Sequence, residues 1–290
     1  MLNNTAVIPR SVRRGVGESA SKIPHTHSRD LSDGTPNGAR VAKRSVAPIK
    51  LSVPPQKILQ AFNTWAFKRE QPTEPLWLQE AVASAVARNE PIPFVLYWGK
   101  GPRATLENPE LDCLRYLASM TGRIRDVYAP GAAVKLICTD THATLNGHSQ
   151  DSIRAYFDSV SAAAKQHGFD SCLLSDLCEG VVPEDDTTLS AEMLQSLSDC
   201  ARKWFRGEGT AEEGAVQYYK MNMIEKRAVE IAFPNAVFVT FNGSEFRSLF
   251  PNTLPVFYMY SVRRGCAVKP WFMPATPVEP TVALPAVAMS

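Results

Sequence analysis

Two hydrophobic rhythms alternate along most of the chain. In Gln56–Lys68 the residues Ile58, Leu59, Phe62, Trp65 and Ala66 recur at helical spacing and predict a helix, which Pro72 and Pro75 break. A second helix is predicted over Leu76–Arg88, stopped by Pro91 and Pro93. The run Phe94–Trp98 is short and continuously apolar, the pattern of a buried strand. Asn108-Pro109-Glu110 marks a helix start, with Asn as cap and Pro at the first helical position. That helix carries Leu111, Leu114, Leu117, Met120 and Ile124 on one face.

The turn Ala129-Pro130-Gly131 leads into a strand over Ala132–Thr139. An amphipathic helix over Gln150–His167 is closed by Gly168 in the left-handed position. A strand over Ser171–Leu174, helices over Ser190–Arg206 and Glu212–Ala232, and strands over Ala236–Phe241 and Pro255–Tyr260 complete the pattern. Strands alternating with helices of this length predict a single α/β domain, a Rossmann-like, mostly parallel sheet with helices on both faces.

Composition refines this picture. The chain has 290 residues, 44% of them hydrophobic, enough for a sizeable core. Its net charge of +2 is unevenly placed. Residues 1–50 hold nine Lys/Arg against three Asp/Glu, a net of +6, which leaves −4 on residues 51–290. Those first 50 residues are poor in aromatics and rich in Ser, Gly, Pro and Asn, so they are expected to form a disordered basic leader. The folded catalytic part is expected over residues 51–274, with an extended tail over 275–290. There is no signal-type apolar region and no run of membrane-spanning length, which points to a cytoplasmic protein without a membrane partner. Outside the leader nothing interleaves basic and aromatic residues, so no nucleic-acid partner is expected. Six scattered cysteines, with no CxxC pair, read as reduced and mostly buried, and no zinc spacing is present.

The chemistry is concentrated at strand ends. Lys100 and Arg103 lie in Gly99-Lys-Gly-Pro-Arg103 just past a strand, where glycine permits close approach and two cations suit a phosphate or carboxylate. The turn lacks the spacing of a nucleotide-binding P-loop. Asp140 and His142 follow the next strand, and a carboxylate beside a histidine is an acid/base arrangement suited to neutral pH. His148 has a weaker claim. Asp140, His142 and His148 lack a fourth ligand, so no metal is expected. The helix Tyr218–Arg227 crowds Lys220, Glu225, Lys226 and Arg227 among apolar residues. Arg263-Arg264-Gly265 and Lys269, beside Trp271 and Phe272, form a further basic turn.

Taken in order, these segments resemble the isonitrile (isocyanide) synthases of the pyoverdine/dityrosine biosynthesis family. The resemblance rests on Gly99-Lys-Gly-Pro-Arg103, Tyr128-Ala-Pro-Gly-Ala132, Thr139-Asp-Thr141 and Asp151-Ser-Ile-Arg-Ala-Tyr156. It continues through Leu174-Ser-Asp-Leu177, Lys220 to Lys226, Phe233-Pro-Asn-Ala236 and Pro270-Trp271, so that it spans about residues 55 to 275. It departs from the family pattern at Gly101, Arg103, Thr141 and Phe272.

The resemblance implies an enzyme of specialised metabolism. Such an enzyme joins the amino group of an α-amino acid to ribulose 5-phosphate and converts it to an isonitrile, with no metal or redox cofactor. On this reading Asp140, His142, Lys100 and Glu225 are the catalytic candidates, with Asp140 and His142 doing acid/base work. Arg103, Lys220, Lys226, Arg227 and Lys269 would bind substrate or phosphate, Lys100 sharing the anion with Arg103. The partners implied are an amino acid and a sugar phosphate. Two other readings stand beside it: another Rossmann-type transferase or lyase acting on a phosphorylated or carboxylated small molecule, and a binding protein that uses its basic arm.

Overall fold

The structure, a computed structural model, describes residues 53–99, 101–182 and 189–260. The basic leader, Lys100, the Arg263–Phe272 segment with Lys269, and the C-terminal tail lie outside these residues.

Five strands form one sheet: β1 (Ile92–Trp98), β2 (Ala132–Cys138), β3 (Asp170–Leu173), β4 (Val237–Thr240) and β5 (Val256–Tyr258). Their spatial order is β3-β2-β1-β4-β5 and every pairing is parallel. This is the α/β architecture the sequence predicts. Its first three strands step outward one way from β1, and β4 and β5 then step the other way. The order therefore reverses between β1 and β4, which is where such sheets open a crevice at their carboxyl edge.

Parallel neighbours need long crossovers. α3 (Asn108–Val127) links β1 to β2, and α5 (Gln150–Gln166) links β2 to β3. Both pack on one face, with α1 (Pro55–Phe62) and α2 (Pro75–Arg88). The return from β3 to β4 carries α7 (Ala191–Trp204) and α8 (Ala211–Ala232) over the other face. Alternation along the strands feeds both layers. Phe94, Leu96 and Trp98 of β1 pack with the first layer, while Val95 belongs to the second and Tyr97 packs against it. A strand buried on both faces shows the continuous apolar run seen at Phe94–Trp98.

Local chemistry moved several predicted boundaries. α1 ends at Phe62, six residues before its predicted end, because the chain turns to let Lys68 bridge Met259 beside β5. Trp65 is consequently 68% exposed instead of continuing the helix's inner face. α2 stops at Asn89, whose φ of 55° is left-handed, ahead of the prolines. α3 is capped by Glu107, not Asn108: Glu107 and Glu110 form a reciprocal capping box that places Asn108 and Pro109 inside the first turn.

Two polar systems pin the ends of β1 and β5. Glu110 is fully buried and accepts from Tyr156 Oη at 3.1 Å, and Tyr156 Oη in turn accepts from Trp98 Nε1 at 3.2 Å. No long helix crosses between β4 and β5. A 3₁₀ turn, Ser244–Leu249, does so, and Arg247 holds it. Its guanidinium donates to Glu74 Oε1 at 2.9 Å, to the Pro251 carbonyl at 2.6 Å and to the Leu254 carbonyl at 3.2 Å. Arg247→Ala is expected to lower the unfolding free energy by about 2–4 kcal/mol, through a carboxylate and carbonyls left without their donor. Arg202→Ala, at an exposed ion pair, should change it by about 0.5 kcal/mol or less, with denaturant melts of both variants giving the comparison.

Candidate active site

β2 stops at Cys138, and Thr139 then ties it to its neighbour: Thr139 Oγ1 donates to the Trp98 carbonyl of β1 at 3.1 Å. Beyond it the chain enters a short helix, α4 (Asp140–Leu145), at the carboxyl edge of the sheet. This places Asp140 and His142 in one helical turn with different directions to face.

Asp140 is buried at 8% exposure, and its Oδ1 accepts the backbone N–H groups of Leu174 and Ser175 at 3.0 and 3.1 Å. These belong to the first turn of α6 (Leu174–Cys178), so Asp140 joins the ends of β2 and β3. It is not the carboxylate that holds His142.

That role falls to Glu225 of α8, 83 residues away in sequence. Glu225 is 1% exposed and both its oxygens are engaged on α4. Thr141 Oγ1 donates to Oε1 at 2.6 Å, and His142 Nε2 bonds to Oε2 at 2.8 Å. A carboxylate accepts and does not donate, so Nε2 carries the proton and Nδ1 of the neutral ring keeps its lone pair. No described residue bonds to Nδ1, and the imidazole side chain is 25% exposed. The Tyr218 ring meets the imidazole edge-to-face at 5.5 Å between centroids. Burial, the largest single effect on this histidine, favours the neutral form. The Glu225 charge and hydrogen bond, with Asp140 adding to them, outweigh it and raise His142 above its ordinary value of 6.5.

Tyr97 completes the centre from β1. Its hydroxyl is buried without a hydrogen-bond partner among the described residues, and its proton affinity is raised by burial first and by Glu225 next. The sequence reading passed over it, although a hydroxylated ring near the end of an otherwise apolar strand is the signal that would have found it. Thr141, noted only as a departure from the family pattern, contributes the second bond to Glu225. Burial pushes the Cys138 and Cys178 thiols up to about 12 and raises Cys172 as well.

The structure thus brings together His142 and Glu225, with Asp140 close by; the remaining described candidates are engaged with other groups or exposed. Arg103 pairs with Glu107, and its Nε lies 3.8 Å from Glu110 Oε1. Lys226 is buried at 7% exposure and donates to the Ser248 carbonyl at 2.8 Å, with its ammonium disfavoured mainly by burial. Lys220 and Arg227, seven residues apart, share the outer face of α8; both are exposed, and Arg227 pairs with Glu230 at 3.9 Å. His148 is exposed and lies beside Gly101. No group of described His, Cys, Asp and Glu residues is placed to hold a metal ion. No helix among the described residues is long and apolar enough to cross a membrane.

With five parallel strands, helices on both faces and a histidine–carboxylate pair at the carboxyl edge, the chain is a Rossmann-like α/β protein. Among solved structures it is similar to the PvcA protein from Pseudomonas aeruginosa, with a TM-score of 0.54 and 17% sequence identity. The match covers 75% of this chain and 87% of that one. At that identity the likeness establishes the fold. A tryptophanyl-tRNA synthetase from Plasmodium falciparum aligns with a TM-score of 0.41 and 10% identity, over 71% of this chain and 60% of that one, and carries no weight. No family model matches the chain, and no curated protein does.

The raised proton affinity of His142 makes a signed prediction. Its charged pair with Glu225 stabilises the fold fully below about pH 6.5, and that contribution fades as pH rises through the higher folded-state value. Denaturant unfolding from pH 5 to pH 9 should therefore show a loss of stability on the alkaline side that is absent in His142→Gln.

Proposed function

We propose that the chain is an isonitrile-synthase-like enzyme. It converts the amino group of an α-amino acid to an isonitrile and takes the carbon from ribulose 5-phosphate. The observation that carries this reading is the His142–Glu225 pair at the carboxyl edge of the sheet. Forming an imine between an amine and a ketone, and then breaking carbon–carbon bonds beside it, requires a group that removes and returns protons in turn. His142 offers Nδ1 for this work, and Glu225 fixes the ring and stabilises the imidazolium. Thr141 holds Glu225 in register. The order of motifs from Gly99 to Ala236 supports the same reading, and so does a fold of the class the resemblance implies.

A second reading, a Rossmann-type transferase or lyase with another phosphorylated or carboxylated substrate, is favoured by one observation. Two cations assigned to the sugar phosphate are committed to the protein itself, Arg103 to Glu107 and Glu110, and Lys226 to Ser248. Under the first reading the phosphate is left to Lys100, Lys220, Arg227 and Lys269.

The two are separated by incubating the full chain with ribulose 5-phosphate labelled with ¹³C at C2 and a panel of amino acids, followed by mass spectrometry. The expected product is an isonitrile bearing the label. Folded protein that yields no labelled isonitrile with any amino acid favours the second reading.

Asp140 separates in the same assay. Asp140→Asn keeps an oxygen to cap α6, whereas Asp140→Ala does not. If Asp140 exchanges protons with substrate, both variants should lose activity by about 100-fold or more. If it only positions α6, the Asn variant should keep most of the wild-type rate.

A further inference from the structure

Tyr128, Tyr156, Tyr218 and Tyr258 are buried, and each of them bonds its hydroxyl within the protein. Tyr128 Oη donates to the Glu90 carbonyl, Tyr156 Oη to Glu110, and Tyr218 and Tyr258 bond with Asn222 and Thr73. Tyr97 differs: its hydroxyl is enclosed and bonds to no described residue. Its ring packs edge-to-face on Phe238 at 5.0 Å, a contact that needs no oxygen. Packing therefore explains a phenyl ring at this position and leaves the hydroxyl unexplained, since enclosing it without a partner costs free energy that phenylalanine would not.

The place of this hydroxyl supplies the explanation. Tyr97 is the last residue but one of β1, which lies between β2 and β4, where the strand order reverses. The carboxyl edge at such a reversal is where sheets of this class take ligands. Tyr97 is within electrostatic reach of Glu225, Cys178 and Tyr218, and Tyr218 rests on the His142 ring at 5.5 Å between centroids. Thr141 and His142 already engage both Glu225 oxygens, so the phenol proton is not used there. Burial first, and the Glu225 charge next, raise its proton affinity, so Tyr97 keeps its proton at neutral pH and serves as a donor.

A neutral donor in a dry wall beside a base suits charge that develops on a carbonyl oxygen. When an amine attacks a ketone, the nitrogen lone pair forms the new C–N bond and the C=O π pair moves onto oxygen. The nitrogen proton passes to His142 Nδ1, and the oxygen is left anionic. Hydrogen bonds to such an oxygen close only when substrate is in place.

We infer that Tyr97 is a catalytic residue whose hydroxyl donates a hydrogen bond to the substrate's ketone oxygen as the amine adds to it. This rests on the reading of His142 and Glu225 as the acid/base pair of imine formation.

Tyr97→Phe removes the oxygen and keeps the ring. In the ¹³C-labelled isonitrile assay on the full chain, kcat should fall about 100-fold or more while KM stays within about threefold. The denaturant midpoint of the variant should match or exceed that of the wild type, because only an unpartnered hydroxyl is lost. Wild-type protein that makes no labelled isonitrile overturns the reading and this inference together. If the wild type makes it and Tyr97→Phe turns over as fast, this inference alone is overturned. A fall in kcat that comes with a lower denaturant midpoint also overturns it, since the role is then structural. So does a raised KM at unchanged kcat, the mark of a bond made equally to ground and transition states.

Discussion

A carboxylate on α8 that retains 1% of its exposure has to be paired, and this requirement ties the two halves of the sheet's helical cover together. Removing Glu225 from water costs several kcal/mol unless both its oxygens are satisfied. Thr141 and His142 satisfy them, and both stand on the single helical turn that follows β2. The position of α8 across the sheet is therefore fixed by the point at which β2 ends. In turn, α8 sets the direction of the imidazole. The same bonds that compensate the buried charge leave Nδ1 as the one ring nitrogen without a described partner. Stability and acid/base capacity here come from one arrangement.

The cations are distributed differently from the acid/base groups. Arg247, Lys226 and Arg103 each spend their donors on carbonyls or carboxylates of the fold. Arg247 does so because a 3₁₀ turn replaces a crossover helix between β4 and β5, and its carbonyls need donors. Lys226 does so because the helix repeat places it next to buried Glu225 and only one residue from solvent-facing Arg227. What is left at the carboxyl edge of β1 and β2 is a centre built from an imidazole, a carboxylate and two phenol rings, with little local positive charge among the described residues.

Much of the architecture was legible in the sequence, because a strand buried on both faces and a helix buried on one leave different hydrophobic periods. Phe94–Trp98 and Gln150–His167 show this most clearly. Boundaries were harder where side chains compete for the backbone. Glu107 took the cap from Asn108 through a reciprocal bond with Glu110, a pairing that the Asn-Pro signal conceals. At the site, both Asp140 and His142 were visible as polar residues after an apolar strand, and Glu225 as a carboxylate among apolar helical positions. Their pairing was not visible. Sequence proximity favoured Asp140 as the partner of His142, but the first turn of α6 claims Asp140, and the crossover through α7 and α8 delivers Glu225 instead. Tyr97 was hidden for the opposite reason: its ring fits the apolar run so well that its hydroxyl drew no notice.

The central claim is that Glu225 sets the protonation of His142. The most direct measurement is the imidazole titration of His142 followed by nuclear magnetic resonance in the wild type and in Glu225→Gln. The account predicts a midpoint above 6.5 in the wild type, and a clear fall in the variant, where burial acts without the opposing charge. The same midpoint in both proteins would contradict it.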